Sequence, residues 1–248
     1  MVPMVRPAPP APSEASRETA GGSPVPAGGG SGRPHDTGGA TVALVGNAVP
    51  GRDDPDRSDA IDAHAEVWRF NNAPGMAGGK QGRRTTLVWM VNSGGSMRER
   101  LEMGAAFLAA PVMRGAPAIA FPVHPAMLRR YHPEPDAAAR AAGDRNDWTT
   151  PALEHFGGAG HAVTVLPATH YEAACGALGM GEAERRRRFP STGFLAAHWL
   201  LASRPGVTAS VYGFTWAGWD AHAWAAERDW FAARAAEGRL RLVAQEGA

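Results

Sequence analysis

An α/β fold, with a mostly parallel sheet and helices on both faces, is predicted by three observations: short apolar runs, helical periodicity between them, and their alternation along the chain. The first run, "ATVALVGN", is wholly apolar from Val42 to Val45 and reads as a strand buried on both sides. "AEVWRFN" and "TTLVWMVN" follow as strands, so that three segments end in Asn47, Asn71 and Asn92. Next come a helix in "SMRERLEMGAAFLAA", a strand in "PAIAFPV", a helix in "PDAAARAAG" and a strand in "HAVTVLP". In "FPSTGFLAAHWLLASRPG", Pro190 suits a helix entry, Ser191 and Thr192 suit its cap, and Phe194, Leu195, His198, Trp199 and Leu201 fall at helical spacing. A strand "ASVYGF", a helix "DAHAWAAERDWFAARAAEG" and a strand "LRLVA" close the pattern. Such a Rossmann-like sheet binds ligands beyond the carboxyl ends of its strands, where the three asparagine amides would lie.

Residues 1–38 are crowded with Pro, Gly, Ala and Ser and show neither period, so a disordered tail is expected there and one domain over 39–248. Twenty-five Lys and Arg against 24 Asp and Glu leave no global field to recruit nucleic acid or an anionic membrane. Any anion must be held locally. Cys175 is the sole cysteine, which excludes an intrachain disulfide and a cysteine metal cluster. Neither a signal-peptide pattern nor an apolar run long enough to span a bilayer is present, so the expected compartment is the cytoplasm. The oligomeric state is left open.

Several motifs admit more than one chemistry. The first turn of the helix beginning near Ser191, Thr192 and Gly193 leaves N–H groups unpaired at the positive end of its dipole, which suits an anion. "LVGNAVPGR" has the glycine spacing of a phosphate loop in Gly46 and Gly51, yet Arg52 replaces the lysine and no hydroxyl residue follows, so a glycine-permitted turn is expected. Asp54-Pro55-Asp56 reads as a solvated turn rather than a metal site. His222 and Glu227 share one broad side of the last predicted helix, and a neutral histidine there is an available general base. His124, His132 and His170 lack any zinc signature and read as loop or cap histidines. Arg185 to Arg188 form either a solvated face or a phosphate clamp.

In this order the motifs resemble those of the animal-type sialyltransferase family, which also has short bacterial members. A long first motif resembles "VALVGNAVPGRDDPDRSDAIDAHAEVWRFNNAPGMAGGKQGRRTT", a shorter second resembles "PSTGFLAAHWLLASRPGVTASVYGF", and the very short last one, His with Glu five positions on, is met by His222 and Glu227. The resemblance implies an A-type glycosyltransferase variant that moves sialic acid from CMP-sialic acid to a glycan hydroxyl, with inversion and without a metal or other cofactor. It implies His222 as the base and donor-binding roles for Gly46, Asn47, Asn71, Ser191, Thr192, Gly193, Tyr212 and Glu227. Two departures stand out. The paired cysteines of animal members are replaced in the neighbourhoods of Val42 and Pro205-Gly206. The family's aromatic, histidine-containing motif is represented only by "TWAGWD", where Trp216, Trp219 or Asp220 stands in. Another CMP-activated keto acid such as Kdo fits the same chemistry, and so does a nucleotide- or glycan-binding module without turnover.

Overall fold

A computed structural model describes residues 41–243 except 116 and 117. The expected tail over 1–38 lies outside the described residues. Seven strands form one sheet: β1 (Val42–Val45), β2 (Glu66–Phe70), β3 (Leu87–Trp89), β4 (Ala118–Phe121), β5 (Ala162–Val165), β6 (Ala209–Tyr212) and β7 (Leu240–Leu242). Every pairing is parallel, in the order β5-β4-β3-β2-β1-β6-β7. The chain builds outward from β1 to one edge, then returns to its other side with β6. Adjacent strands β1 and β6 thus leave in opposite directions, and a crevice opens beyond their carboxyl ends.

The helices are α1 (Ser58–Asp62), α2 (Gly94–Met103), α3 (Ala105–Leu108), α4 (Pro125–Tyr131), α5 (Ala137–Ala141), α6 (Thr149–Gly158), α7 (Ala168–Ala177), α8 (Thr192–Ser203) and α9 (Trp224–Ala236). Parity along the strands divides them between two faces. Val42, Leu44, Trp68, Phe70, Trp89 and Val211 pack with α4, α7, α8 and α9, while Ala43, Val45, Val67, Val88, Ile119 and Phe121 face α1, α2, α3 and α6. Both faces are apolar because both are covered, which is why β1 shows no alternation. Among the described residues no helix is long and apolar enough to cross a membrane.

Several helical expectations need correction. Gly104, at φ 51°, splits the single predicted helix at 96–110 into α2 and α3. α1, α4, α6 and α7 fall where no helix was expected, and His170 is therefore no loop or cap residue but a buried member of α7. His124, by contrast, does cap: it precedes α4 and accepts from the Ala126 N–H at 3.2 Å.

His170 donates from Nε2 to the Leu195 carbonyl at 3.1 Å, and its ring lies 5.3 Å from that of His198. Burial, reinforced by His198, pushes its pKa down to about 4. Burial and then His222 do the same to His132. In the unfolded chain both would titrate near 6.5, so between pH 6.5 and 4 the unfolded state binds more protons. Stability is therefore full above about pH 6.5 and falls toward pH 4, by on the order of 2 kcal/mol per histidine. Urea unfolding at pH 7 and pH 5 should show this loss, and His170→Gln, which keeps a donor near Nε2, should shrink it. An undiminished loss in that variant would assign the acid sensitivity elsewhere.

Candidate active site

The crevice beyond β1 and β6 is a cleft of about 290 Å³, lined where three strands end: Gly46 and Asn47 after β1, Phe70 and Asn71 at the end of β2, Gly213 and Phe214 after β6. The start of α8 closes one side and the segment 215–224 another. Gly46 and Gly213 let two loops meet. The Gly46 N–H donates to the Tyr212 carbonyl at 2.7 Å, and a Cβ on Gly46 would stand 2.3 Å from the Gly213 oxygen. That approach makes "LVGN" a strand-to-loop turn.

Asn71 has φ 54°, a left-handed conformation that asparagine tolerates. Its Oδ1 accepts from the Val91 N–H at 3.0 Å, so the amide nitrogen is left as the group to meet a ligand. Asn47 is exposed at the cleft, and its side chain makes no hydrogen bond among the described residues. Asn92 has a different task. It is fully buried, and Nδ2 donates to the Val123 carbonyl and to Thr149 Oγ1, tying the loop after β3 to its neighbours.

The helix cap forms as its sequence predicts. Ser191 has extended backbone and its Oγ accepts from the Phe194 N–H at 3.1 Å. Leu195 N–H reaches the Ser191 carbonyl, which leaves the N–H groups of Thr192 and Gly193 at the cleft unpaired among the described residues. Phe214 packs against Gly193 so closely that a Cβ there would lie 2.7 Å from its ring.

Glu227 does not reach the cleft. It is completely buried and turned back on the cap, where one carboxyl oxygen accepts from the Ser191 N–H at 2.7 Å and the other from Ser191 Oγ at 2.6 Å. Burial raises its pKa to about 7 against the lowering effect of those two bonds. Tyr212 is likewise outside the cleft. Strand parity sends its ring to the far side of the sheet, edge-on to His64 at 5.8 Å.

His222 precedes α9 instead of lying on it, because the helix starts at Trp224. It is held by a bridge to Phe189: Phe189 N–H donates to the Ala221 carbonyl, and His222 Nδ1 donates to the Phe189 carbonyl at 2.8 Å. A carbonyl can only accept, so the neutral ring carries its proton on Nδ1 and presents a lone pair on Nε2. Nε2 has no partner among the described residues. Burial holds the pKa below the ordinary histidine value, against the opposing pull of the Phe189 carbonyl. The rings of Trp219 and Trp224 stand edge-on to it at 5.1 and 4.8 Å.

A second chamber, of about 480 Å³, meets the cleft at Asn71, Thr192 and His222. It is walled by the start of α2, by His132 and Asn146, and by Phe189 and Trp219. His132, read from sequence as a loop or cap residue, does end α4, yet its ring also lines this chamber. Of the segment "TWAGWD", Trp216 lines the cleft, Trp219 the chamber, and Asp220 neither.

Other expectations find plainer roles. The Asp54 and Asp56 carboxylates accept from Gly51 N–H and from Ser58, and Lys80 Nζ donates to the carbonyls of Gly51, Arg52 and Asp54, closing a turn. None of Arg185 to Arg188 lines either space; Arg185 bonds the Met180 carbonyl, and Arg186 bonds Glu182. Among the described residues no three His, Cys, Asp or Glu gather as a metal site would require. Sequence reasoning passed over Arg69 and Gln81. Buried Arg69 donates to the carbonyls of Gln81 and Arg84, while Gln81 Nε2 donates to the Ala48 carbonyl, so the two brace the loop after β1 from behind.

No protein-family profile matches the sequence, and no curated protein does. Among solved structures, the crystal structure of a mammalian sialyltransferase in complex with Gal-beta-1-3GalNAc-ortho-nitrophenol is similar, with 15% identity and a TM-score of 0.47, over 82% of this chain and 68% of that one. A second crystal structure of a mammalian sialyltransferase gives the same values. At that degree of likeness the chemistry has to be argued from the cleft itself.

The cap bonds predict a contrast between two variants. Glu227→Ala removes both acceptors for Ser191 and should cost roughly 2–4 kcal/mol in urea unfolding at pH 6. Glu227→Gln keeps one acceptor and replaces the other with a donor that Ser191 Oγ can accept, so its cost should stay below about 1 kcal/mol. Equal losses would mean that an amide cannot replace the carboxyl's hydrogen bonds at the cap.

Proposed function

We propose that the cleft transfers sialic acid, or another CMP-activated keto acid such as Kdo, from its CMP ester to a glycan hydroxyl with inversion and without a metal. The reading makes the protein a cytoplasmic glycosyltransferase with a CMP-sugar donor and a glycan acceptor, and needs no cofactor. The observation that carries it is the position of His222. The base candidate, its Nε2 unpaired and its tautomer set by the Phe189 carbonyl, stands at the junction of two spaces, and the three motifs that resemble the sialyltransferase family meet around it.

The chemistry follows from that arrangement. The acceptor hydroxyl oxygen attacks the anomeric carbon while the bond from that carbon to the phosphate oxygen breaks. The hydroxyl proton passes to His222 Nε2, and CMP departs as a phosphate monoester. The charge that develops on this leaving group is small compared with a diphosphate's. Two unpaired helix N–H groups, at Thr192 and Gly193, with the Thr192 hydroxyl and the Asn71 amide beside them, suit the phosphate and the sugar carboxylate, while Ser191, its N–H and hydroxyl proton both given to Glu227, holds the cap in place. Asn47 is free to meet the nucleoside.

CMP release from CMP-sialic acid and CMP-Kdo, measured with a mixed set of glycosides and EDTA, tests this. Turnover should survive the chelator, and His222→Ala should lower it about a hundred- to ten-thousand-fold while CMP still binds. The wild-type rate should rise with pH through an apparent pKa below 6.5, since burial favours the neutral imidazole. CMP binding with no release from either donor would favour a binding module that has lost catalysis. Absence of CMP binding would overturn the transferase reading.

A further inference from the structure

We propose that the second chamber holds a neutral glycoside and that Trp219 is the platform on which its pyranose ring lies. This rests on the transferase reading only in making that glycoside the acceptor. Trp219 is 57% exposed, an unusual state for an indole whose main chain is firmly held: its carbonyl accepts from the His222 N–H at 3.0 Å and from Trp224 Nε1 at 3.1 Å. One face is backed. The ring lies parallel to that of Phe189, with centroids 5.5 Å apart at 8°, and Phe189 in turn rests 4.3 Å from the ring of His132. Trp219 stacked on Phe189, with the His132 ring against Phe189 behind it, presents a part-exposed aromatic surface at a chamber whose other walls mix Ser93, Ser96 and Asn146 with Val91, Val123 and Leu195.

Charge narrows the ligand. Among the described residues that line the chamber there is no Asp, Glu, Lys or Arg. Burial keeps both of its imidazoles neutral near pH 7, His132 at about 4 and His222 below its ordinary value. An acidic or phosphorylated sugar would therefore give up its hydration without an ion pair in return, whereas a neutral pyranose has an apolar C–H face for the indole and hydroxyls for Ser93, Ser96 and Asn146. The N–H of Gly94, at the start of α2, is already taken by the Asn146 carbonyl. Position fits as well, because the Trp219 ring lies 5.1 Å from that of His222, so a sugar on the indole brings a hydroxyl beside the base. The two spaces divide the substrates by charge, with the anionic donor at the start of α8 and the neutral acceptor on Trp219.

The test is saturation-transfer NMR on the full chain with methyl β-galactopyranoside, methyl β-glucopyranoside and methyl N-acetyl-β-glucosaminide, set against galactose 6-phosphate and glucuronic acid. At least one neutral glycoside should bind. Trp219→Ala should weaken it about tenfold, and Trp219→Phe should restore part of the loss. Thermal melting of both variants checks that they fold. The proposal is overturned if no neutral glycoside binds, if the acidic sugars bind more tightly, or if Trp219→Ala, correctly folded, binds as the wild type does. Failure of the wild type to bind CMP would remove the transferase reading and leave the sugar platform standing, so the two fail separately.

Discussion

Besides the carbonyl bond that starts α8, Ser191 makes three hydrogen bonds at once, and the geometry of the cleft depends on them. Its N–H and hydroxyl both donate to Glu227, while its oxygen accepts from Phe194. A carboxyl with no exposure is expensive to bury, and its raised pKa reflects that cost. What the burial secures is position. Two residues before Ser191, Phe189 supplies the carbonyl that orients His222; the two residues after it expose the unpaired N–H groups. A rotation of this short segment would displace His222 and the unpaired N–H groups together. Because Glu227 belongs to α9 and Ser191 to the start of α8, the same contact also fixes how those two helices meet.

The sheet imposes the other constraint. In a parallel sheet that grows outward from β1, only its return to β6 can bring distant sequence beside the first turn, and Gly46 and Gly213 are where that return closes. The absence of a side chain on each is a packing requirement: a Cβ on Gly46 would overlap Gly213 and Phe214, and one on Gly193 would overlap Phe214. Phe214 thereby fills the floor between β6 and α8. Its ring meets Phe70 edge-on at 5.6 Å, so strand ends from both halves of the sheet support one surface.

What could be read from sequence was whatever local chemistry determines. Strands appeared as apolar runs because both faces are buried, and the cap at Ser191 appeared because Pro-Ser-Thr-Gly has few other uses before an apolar helix. The rule that ligands lie beyond strand ends placed Asn47, Asn71 and Asn92 alike, and only the first two reach the cleft, since Asn92 turns inward to Val123 and Thr149. The failures share a cause, which is that side-chain direction depends on tertiary register. Tyr212 sits one residue past Val211, and that single step turns it to the opposite face. Glu227 appeared to share a helical face with His222, yet its partner is 36 residues away, and His222 is outside the helix altogether. α7 was missed because its exposed side carries Ala173, Gly176 and Ala177 and its buried side carries His170, so one-sided burial leaves no apolar-against-polar stripe in the sequence. The second chamber left no local signal, being assembled from seven separate stretches of chain.

The aromatic surroundings of His222 set up a trade-off that the proposed chemistry resolves. Burial beside Trp219 and Trp224 lowers its pKa, which keeps the imidazole unprotonated near neutral pH but makes it a weaker base. A sugar hydroxyl in its ground state is far too weak an acid to lose a proton to such a base. Once its oxygen begins to bond to an electron-poor anomeric carbon, however, the hydroxyl acidifies sharply, and proton transfer becomes favourable even to a weak acceptor. A base of this kind therefore acts late, when the carbon–oxygen bond is already forming, and what it needs is correct position rather than strength. The Phe189 carbonyl supplies that position by holding Nδ1, and the Ser191–Glu227 contact holds the segment from which Phe189 reaches. In a site arranged this way, loosening the cap should be felt first as a misplaced base and only afterwards as a weakened fold.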